Sequence, residues 1–207
     1  ERIRLSSVEP IIITDEFMKR AVKTGKLCDH FHLSLQSGSN NILKAMNRRY
    51  TREEYIEKAN IIRKYMPHAG LTTDIIVGFP GESEEDFRDS MSIVKEVGFS
   101  RIHVFKYSKR KNTKAALMKN QIDGNVKKER SEKLIALGEE YQEIFERENM
   151  KYPQSVLFEE DHEGEYYGYT TNYIRVKAKS EIDLKNKIKD VKILDTGEIA
   201  NCEIIGD

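Results

Sequence analysis

Few cysteines, no long apolar run and no net charge are the first limits that this 207-residue sequence sets. Cys28 and Cys202 stand far apart, so the chain offers neither a disulfide framework nor a cysteine cluster for zinc or iron–sulfur. We interpret both as structural thiols of a cytoplasmic protein, and we expect no metal ligands in this chain.

Membrane segments are excluded in the same way. No apolar run approaches the roughly 18 residues that span a bilayer, and no signal-peptide pattern opens the chain. Charged residues make up 34% of the sequence and the mean hydropathy is -0.65, values typical of a globular protein in water. We therefore expect no membrane partner.

The zero net charge hides a division along the chain. Residues 153–207 carry a net charge of -5, and residues 1–152 carry +5. Ten basic residues fall within residues 100–130, against only Asp123 and Glu129. Such a run is often no more than a solvated face. This one begins at the end of a predicted strand and continues through a polar loop, which favours contact with a polyanion.

Strands and helices alternate through the first part, which predicts an α/β fold with parallel strands and right-handed crossovers. Strands are predicted at residues 3–7, 30–36, 74–77 and 101–107, and helices at 14–23, 40–47, 52–65 and 84–97. Thr51 and Glu54 have the spacing of a capping box.

A second pattern follows. A long charged helix is predicted at residues 127–150, and Tyr152 and Pro153 end it. Five short β segments then fall within about 50 residues, which predicts a small antiparallel β-barrel. We place the domain boundary near Tyr152, with domains at 1–152 and 153–207.

The predicted second strand has one polar face and one apolar face. A parallel strand covered on both faces would be apolar throughout, but here the polar positions are His30, His32, Ser34 and Gln36. A single strand histidine is more often a hydrogen-bonded structural residue than a ligand. A whole polar face instead suits the interior of a barrel that holds a polar ligand.

Three predicted strands end in polar turns, at residues 7–10, 36–39 and 78–82. The last turn is rich in glycine and proline and leads into a helix. Ligands of α/β barrels bind at the carboxyl ends of strands, where backbone amides lack partners. These turns predict a ligand site, although a glycine-rich turn alone is weak support.

Five segments occur in a characteristic order: Ser6-Ser-Val-Glu-Pro10, His30-Phe-His-Leu-Ser-Leu-Gln-Ser-Gly38, Met46-Asn-Arg-Arg-Tyr50, Asp74-Ile-Ile-Val-Gly-Phe-Pro-Gly-Glu82 and Tyr107-Ser-Lys-Arg110. With them the chain resembles the radical-SAM methylthiotransferases. It is most similar to the branch that modifies N6-threonylcarbamoyladenosine beside the tRNA anticodon. Sister branches act on isopentenyl-adenosine in tRNA or on a ribosomal protein.

The resemblance implies a partial (β/α) radical-SAM barrel, strands three to six of six, followed by a TRAM-like β-barrel. It also implies S-adenosylmethionine as cofactor. The residues that match its contacts are Ser7, Glu9, Gln36, Ser37, Gly38, Gly78, Phe79, Gly81, Glu82, Phe105 and Tyr107. The partner would be tRNA, and the basic residues expected to contact it are Lys106, Lys109, Arg110, Lys111, Lys114, Arg175 and Lys177.

One departure from the family pattern limits this reading. The family carries two [4Fe–4S] clusters, and the CxxxCxxC loop for one and the three cysteines for the other are absent here. The intact protein would cleave S-adenosylmethionine reductively, abstract hydrogen from the adenine ring and insert a methylated sulfur. This chain alone is expected to be inactive, with no catalytic residue of its own.

The chain begins at Glu1 rather than methionine, which favours a piece of a longer protein. The strand from Ile3 to Ser7 would then be an exposed edge with unpaired backbone groups, and we expect dimerisation or rearrangement through it. Two other classes stay open. The chain could be a non-catalytic RNA-binding module, or an unrelated α/β domain that binds a nucleotide at residues 78–82.

Overall fold

A four-stranded parallel sheet and a closed five-stranded barrel make up the structure, a computed structural model that describes residues 1–206. The sheet strands are β1 (Ser7–Val8), β2 (His30–Leu33), β3 (Gly70–Val77) and β4 (Arg101–Lys106), adjacent in chain order. The helices are α1 (Asp15–Lys23), α2 (Asn40–Ala45), α3 (Arg52–Tyr65), α4 (Glu84–Val97), α5 (Lys114–Leu117) and α6 (Gly124–Asn149). The barrel strands are β5 (Gln154–His162), β6 (Glu165–Thr170), β7 (Arg175–Lys179), β8 (Lys187–Ile193) and β9 (Ala200–Ile204).

Local capping signals explain why two helices have the bounds that the sequence predicts. The Thr51 side chain accepts a hydrogen bond from the Glu54 amide, and Glu54 returns one to the Thr51 amide, which completes the predicted capping box of α3. Ser83 and Asp86 form the same motif at α4. Gly98 ends α4 at φ 60°, a left-handed conformation that glycine adopts without strain.

The main core lies on one side of the parallel sheet. Phe31, Leu33 and Leu35 are fully buried there, against residues of α3 and α4 such as Tyr55 and Ile93. The prediction that these alternate positions of β2 form an apolar face is confirmed. The other face of the sheet carries the polar side chains.

The amino-terminal strand was predicted wrongly. Strand β1 covers only Ser7–Val8, which pairs in parallel with β2, whereas Ile3 forms an isolated bridge to Leu27. The residues before β1 instead contact the β-barrel: Arg2 donates to Ser155 Oγ, and Arg4 donates to the Thr170 carbonyl. The predicted edge from Ile3 to Ser7 is therefore not a continuous strand, and dimerisation through it stays a prediction.

The small barrel is closed as predicted, but it is not wholly antiparallel. Strands β7 and β9 pair in parallel, through Val176 with Ala200 and Lys177 with Asn201. The other four pairs are antiparallel. One parallel pair is required because a closed ring of five strands cannot alternate in direction throughout.

The barrel docks at the amino ends of the sheet strands. The turn between β6 and β7 inserts there, and the Asn172 side chain donates to the carbonyl of His68. Tyr173 stacks on His30, the first residue of β2, with 4.4 Å between ring centroids. The Arg4 guanidinium lies over the Tyr173 ring as well, 4.5 Å from its centroid. The carboxyl ends of the strands, where α/β proteins bind ligands, remain free of the barrel.

Helix α6 has 26 residues and connects the two parts. It is about 39 Å long at 1.5 Å per residue. In the part of the chain that the structure describes, neither this helix nor any other combines the length and apolar character needed to cross a bilayer.

Candidate functional site

A cavity of about 540 Å³ opens at the carboxyl ends of β2, β3 and β4. Its size falls within the usual range for small-molecule sites. The lining residues come from the strand ends and from the loop after β4: Gln36, Asp74, Ile76, Phe105, Lys106, Tyr107, Ser108, Arg110, Thr113 and Ala115. Of the residues predicted to contact S-adenosylmethionine, Gln36, Phe105 and Tyr107 line this cavity. A cavity of similar size beside α1 is a groove along a single helix.

Side chains on the polar face of the sheet are linked to one another beneath this cavity. His30 Nε2 and His32 Nδ1 both lie within hydrogen-bond distance of Thr72 Oγ1, at 3.1 and 3.0 Å. His32 Nε2 lies 3.3 Å from Asp74 Oδ2. The four side chains form a continuous chain from the barrel interface to the cavity wall. Sequence reasoning found the polar face but did not include Asp74, Thr72 or the two histidines among the site residues.

His30 sits at the buried end of that chain. Its side chain is almost fully covered, and its Nδ1 has no hydrogen-bond partner in the described residues. Burial, followed by the charge of Arg4, lowers the pKa of His30 to about 3. The imidazole is therefore neutral at physiological pH, which suits its stacked position against Tyr173.

Strand β2 re-pairs with β3 beyond its last residue, and this places Gln36 at the cavity. The Gln36 amide donates to the Asp74 carbonyl, and the Ile76 amide donates to the Gln36 carbonyl. Gln36 has φ 70°, so the chain turns sharply there. The next two residues face away from the cavity: Ser37 is fully buried, and Gly38 packs against α4.

Packing against α4 requires glycine at position 38. A Cβ at this position would lie 2.6 Å from the Asp89 carbonyl oxygen and the Ser90 Cα, both parts of the α4 backbone. Neither Ser37 nor Gly38 lines the cavity, so their predicted contact with S-adenosylmethionine stays a prediction.

The glycine-rich turn after β3 uses most of its amides within the chain. The Gly78 amide donates to Glu82 Oε2, the Gly81 amide to the Asn120 carbonyl and the Glu82 amide to the Phe79 carbonyl. Pro80 has no N–H to donate. Among residues 78–82 of the described chain, only the Phe79 amide lacks a hydrogen-bond acceptor. The expectation that this turn presents a row of free amides is wrong.

Glu82 is a structural residue of the turn. Its side chain is fully buried, and Oε2 accepts from Arg130 Nη1 at 2.6 Å as well as from Gly78. Burial raises the pKa of Glu82, and the Gly78 amide and Arg130 oppose that rise. Arg130 is nearly as buried, so it does not belong to the solvent-exposed basic run in which the sequence placed it.

Lys127, one helical turn before Arg130, covers the other side of the same turn. Its methylene groups occupy the space beside Gly78, where a Cβ would lie 2.0 Å from Lys127 Cγ. Its ammonium group donates to the Tyr107 carbonyl. The start of α6 therefore holds both the turn after β3 and the end of β4. Phe79 packs edge-on against Tyr107, with ring centroids 5.3 Å apart.

Ser7 and Glu9 lie at the edge of the sheet that β1 forms, outside the cavity lining. Ser7 is exposed, and Glu9 is paired with Arg48 at 3.7 Å. Neither residue lines the cavity of the described residues, so their contact with S-adenosylmethionine stays a prediction.

The predicted RNA-contacting residues divide into two groups. Lys106 and Arg110 line the cavity, and Lys109, Lys111 and Lys114 are exposed on the following segment. No carboxylate occurs between residues 101 and 122, and none of these five cations forms a salt bridge within residues 1–206. The charge of this segment is therefore uncompensated.

Arg175 and Lys177 are different. Arg175 pairs with Glu160 at 3.7 Å, and Lys177 pairs with Glu165 at 3.3 Å. They lie on the barrel, which docks at the opposite end of the sheet from the basic segment. Beside them are three partly exposed tyrosines that the sequence analysis missed: Tyr167, Tyr169 and Tyr173. The alternation of aromatic and basic residues on β6 and β7 was the available signal.

Comparison with known proteins decides the family. Residues 2–94 match the family model described as "Radical SAM superfamily". The chain is 44% identical over 202 residues to the threonylcarbamoyladenosine tRNA methylthiotransferase MtaB of Bacillus subtilis, covering 95% of this chain and 45% of that protein. It is 37% identical over 206 residues to the tRNA-2-methylthio-N(6)-dimethylallyladenosine synthase of Finegoldia magna, covering 97% and 44%. The chain belongs to the methylthiotransferase family of the radical SAM superfamily.

A solved structure supports the fold of this radical SAM chain. Coproporphyrinogen III oxidase of Escherichia coli, a radical SAM enzyme, superposes with a TM-score of 0.57 at 19% identity, over 68% of this chain and 32% of that one. The four parallel strands in chain order are thus part of a radical SAM fold. The chain spans about half the length of the curated relatives that it matches.

The two cysteines of this chain do not fit an iron–sulfur cluster. Cys28 and Cys202 are both buried, one beside the sheet and the other in the barrel. Burial raises the pKa of the Cys202 thiol to about 12, which disfavours the thiolate that a cluster needs. Residues 1–206 contain no group of three or more side chains arranged to hold a metal ion. No step of a reaction can be assigned to a cluster on these residues.

Proposed function

We propose that this chain is the carboxyl-terminal part of a cytoplasmic tRNA methylthiotransferase that uses S-adenosylmethionine and acts on N6-threonylcarbamoyladenosine beside the anticodon. The observation that carries this proposal is the 44% identity to the Bacillus subtilis enzyme over 202 residues, because the alignment covers 95% of this chain, barrel included. The barrel β5–β9 is then the TRAM domain of the protein.

The cavity at the strand ends is the proposed site for S-adenosylmethionine. Phe105 and Ile76 supply apolar surface for an adenine ring, and Gln36 supplies an amide that can both donate and accept hydrogen bonds. Bound there, S-adenosylmethionine supplies radical chemistry to the family. Phe79 and the turn around it support the site from behind, through the contact of Phe79 with Tyr107.

The uncompensated cations of residues 106–114 are the proposed contact for tRNA phosphates. They border the same cavity, so an RNA held by them would have its target base near the site. Tyr167 and Tyr169 of β6 offer stacking surfaces for unpaired bases, and Arg175 and Lys177 of β7 lie beside them. Since both cations are already paired with carboxylates, we assign the larger electrostatic contribution to the segment after β4.

Iron–sulfur clusters have no ligands in this chain, so the proposal assigns both clusters of the family to the remainder of the protein. The chain by itself is accordingly proposed to be inactive in methylthiolation. Its contribution is to hold S-adenosylmethionine and to position RNA.

A second candidate substrate is dimethylallyladenosine. Its support is the 45% identity over 157 residues to the tRNA-2-methylthio-N(6)-dimethylallyladenosine synthase of Alkaliphilus oremlandii. Identity therefore does not separate the two nucleosides. The segments Ser6–Pro10, His30–Leu35 and Ile102–Phe105 favour threonylcarbamoyladenosine, and a ribosomal-protein substrate is the remaining family alternative.

Mass spectrometry of tRNA nucleosides from cells lacking the intact gene tests the proposal. We expect loss of the methylthio form of threonylcarbamoyladenosine, with the unmodified nucleoside accumulating, and recovery when the gene is restored. Loss of the methylthio form of dimethylallyladenosine instead would select the second candidate. Unchanged levels of both marks would contradict both tRNA substrates and leave the ribosomal-protein substrate or a non-catalytic RNA-binding module.

A further inference from the structure

Tyr173, in the turn between β6 and β7, has a backbone conformation that a bulky residue rarely adopts. Its φ is 76°, in the left-handed region, where glycine or asparagine is usual and an aromatic residue costs free energy. The turn holds this conformation through two bonds: the Tyr173 amide donates to the Thr170 carbonyl, and the Ile174 amide donates to Thr170 Oγ1. Such strain persists only where the surrounding structure enforces it, and it is often found at functional residues.

The Tyr173 ring is the part of the barrel that reaches the polar face of the sheet. It stacks on His30 and on Tyr169, with 4.4 and 4.6 Å between ring centroids. The Arg4 guanidinium lies 4.5 Å from the centroid of the same ring. Three planar groups at these distances cannot all lie on one face of a ring. Tyr173 therefore has partners within the chain on both faces, and we exclude it from the tyrosines that are offered to RNA bases.

The cover over His30 shows how closely the barrel fits the sheet. Only 5% of His30 is exposed, whereas His32, two residues along the same face, is partly open to solvent. The groups that face the His30 ring are Tyr173 from the barrel, Arg4 from the amino-terminal segment, and Thr72 and His32 from the sheet. Because the sheet alone leaves this face open, the cover depends on Tyr173 and Arg4.

The residue before Tyr173 attaches the same turn to two further parts of the fold. The Asn172 side chain donates to the His68 carbonyl and to Asn149 Oδ1, so it joins the sheet side to α6. Its backbone passes so close to Gly70 that a Cβ there would lie 2.2 Å from the Asn172 carbonyl oxygen. Contacts in several directions leave the turn one position against the sheet. The turn thus fixes the orientation of the barrel.

The strands on either side of this turn carry the proposed RNA contacts of the barrel. Tyr167 and Tyr169 lie on β6, opposite Lys177 and Arg175 of β7. The basic segment after β4 is the other proposed contact. Two binding surfaces act together on one ligand only when their separation suits it, and a fixed connection of the right geometry raises the overall affinity. The orientation of the barrel therefore matters for RNA binding.

We propose that Tyr173 is a positioning residue for RNA: by holding the β6–β7 turn against the amino end of β2, it fixes the RNA-facing surface of the barrel relative to the basic segment after β4. Tyr173 acts through this contact and does not itself touch RNA. The part of the inference that concerns RNA rests on the proposed function.

The test uses the full-length protein as wild type, Tyr173→Asn and Tyr173→Phe, with Tyr167→Asn as the control. Asparagine adopts the left-handed conformation more readily than tyrosine, so Tyr173→Asn removes the ring and relieves the backbone. Phenylalanine keeps the ring. Tyr167 lies on β6, and its ring takes no part in the stack on His30.

Two quantities are measured on each protein. The midpoint of His30 protonation is obtained from exchange of the His30 Cε1 hydrogen, followed by mass spectrometry over a series of pH values. The Kd for a synthetic anticodon stem-loop is obtained by filter binding. Circular dichroism melting confirms that each variant is folded.

Loss of the Tyr173 ring should move both quantities together. In the wild type, burial keeps the pKa of His30 at about 3, so its exchange shows no titration near neutral pH. In Tyr173→Asn the imidazole is uncovered, and its midpoint should rise towards the ordinary value of about 6.5. The Kd for the stem-loop should rise by about 10-fold, because the two RNA-binding surfaces are no longer held together. Tyr173→Phe should match the wild type in both.

The control separates positioning from direct contact. Tyr167→Asn should weaken RNA binding without moving the His30 midpoint, since Tyr167 is a proposed stacking surface remote from His30. Weaker RNA binding by Tyr173→Asn with His30 still covered would mean that Tyr173 contacts RNA directly, which contradicts the proposal. An uncovered His30 with a Kd within about twofold of wild type would contradict it as well.

A second variant applies if Tyr173→Asn does not fold. Arg4→Met removes the cation over the Tyr173 ring and its bond to the Thr170 carbonyl, and it leaves the turn itself unchanged. It should shift the His30 midpoint and the Kd in the same directions by smaller amounts. A folded Arg4→Met protein that matches the wild type in both quantities would overturn the proposal.

The outcomes separate this inference from the proposed function. A wild-type protein that does not bind the stem-loop contradicts the proposed function and, with it, the role of Tyr173 in RNA binding. A wild type that binds RNA, with a folded Tyr173→Asn variant that matches it in both quantities, contradicts the inference only.

Discussion

The carboxylate of Glu82 and the guanidinium of Arg130 form a buried ion pair that joins the turn after β3 to the start of α6. The distance from Nη1 to Oε2 is 2.6 Å, and 9% of the Arg130 side chain and 0% of the Glu82 side chain are exposed. Arg130 also donates to the Glu82 carbonyl, at 3.0 Å. The conformation of the turn beside the cavity thus depends on a helix that comes some 45 residues later in the chain.

Removing one member of this pair should be costly. We expect Arg130→Met to lower the free energy of unfolding by about 3–5 kcal/mol, because it leaves the Glu82 carboxylate buried without its cation. Urea unfolding at neutral pH measures the change. Arg88→Met is the control, since Arg88 forms only an exposed pair with Glu84 within α4 and should cost less than about 0.5 kcal/mol. Equal losses in the two variants would contradict the structural role of Arg130.

The low pKa of His30 predicts a pH dependence of stability. The unfolded chain protonates this histidine near its ordinary pKa of 6.5, whereas the folded chain does so only near pH 3. Because the unfolded state binds the extra proton, stability is lost as pH falls from about 6.5 towards about 3, by at most about 1.4 kcal/mol per pH unit.

Comparison of wild type with His30→Gln isolates that contribution. Urea unfolding of both proteins at several pH values should show a steeper loss in the wild type, since the other four histidines are common to both. Glutamine retains an amide that can donate to Thr72. Parallel profiles of the two proteins would show that His30 titrates normally in the folded state.

The contact between the sheet and the barrel predicts a strict size limit at Gly70. A Cβ at this position would lie 2.2 Å from the Asn172 carbonyl oxygen, an atom of the β6–β7 turn backbone that cannot rotate away. We expect Gly70→Ala to cost about 1–3 kcal/mol of unfolding free energy, as overpacking does elsewhere.

Gly124→Ala is the matched control for that substitution. Gly124 is the first residue of α6, and no atom lies within 4 Å of its added Cβ. Alanine there should be neutral or stabilising by up to about 1 kcal/mol. A Gly70→Ala protein as stable as wild type would mean that the barrel does not dock through Asn172 in solution.

The basic segment after β4 predicts a salt-dependent RNA affinity. In the full-length protein, reversing the charges of Lys109, Arg110 and Lys111 should weaken tRNA binding. Each lost phosphate contact lowers the salt slope by about 0.7 to 0.9, so three contacts lower it by about 2 to 3. Filter binding at a series of salt concentrations measures both quantities.

A control with the same charge change lies on and just after α1. Lys19, Lys23 and Lys26 are exposed and form no salt bridge within residues 1–206. Reversing them should alter tRNA affinity much less, because they are remote from the cavity lining. Equal effects of the two triple variants would indicate a general charge effect and no specific contact.

Features that depend on neighbours in sequence were predictable. The bounds of α3 and α4 follow from capping boxes at Thr51 and Ser83, whose bonding partners lie three residues away. The polar and apolar faces of β2 follow from the two-residue period of a strand. The short helix α5 was missed, because four residues carry too little periodic signal.

Features that depend on distant partners were not predictable. The sequence shows Arg130 as one of ten cations in a basic run, and only the arrival of α6 beside the turn after β3 makes it a buried partner of Glu82. Likewise, Gly38 looks like a ligand-binding glycine until the backbone of α4 is seen against it. Charge and residue type alone do not reveal which groups meet across the fold.

The sequence by itself therefore determined the α/β class, the family, most helix bounds and the alternation that gives the sheet a polar side. Only the tertiary structure decided that Asp74, His32, Thr72 and His30 are joined in one hydrogen-bonded chain. It also decided that most amides of the turn after β3 donate to acceptors within the chain. The physical reason is that periodicity and capping act over a few residues, whereas hydrogen-bond direction and burial are set by strands 40 residues apart in the chain.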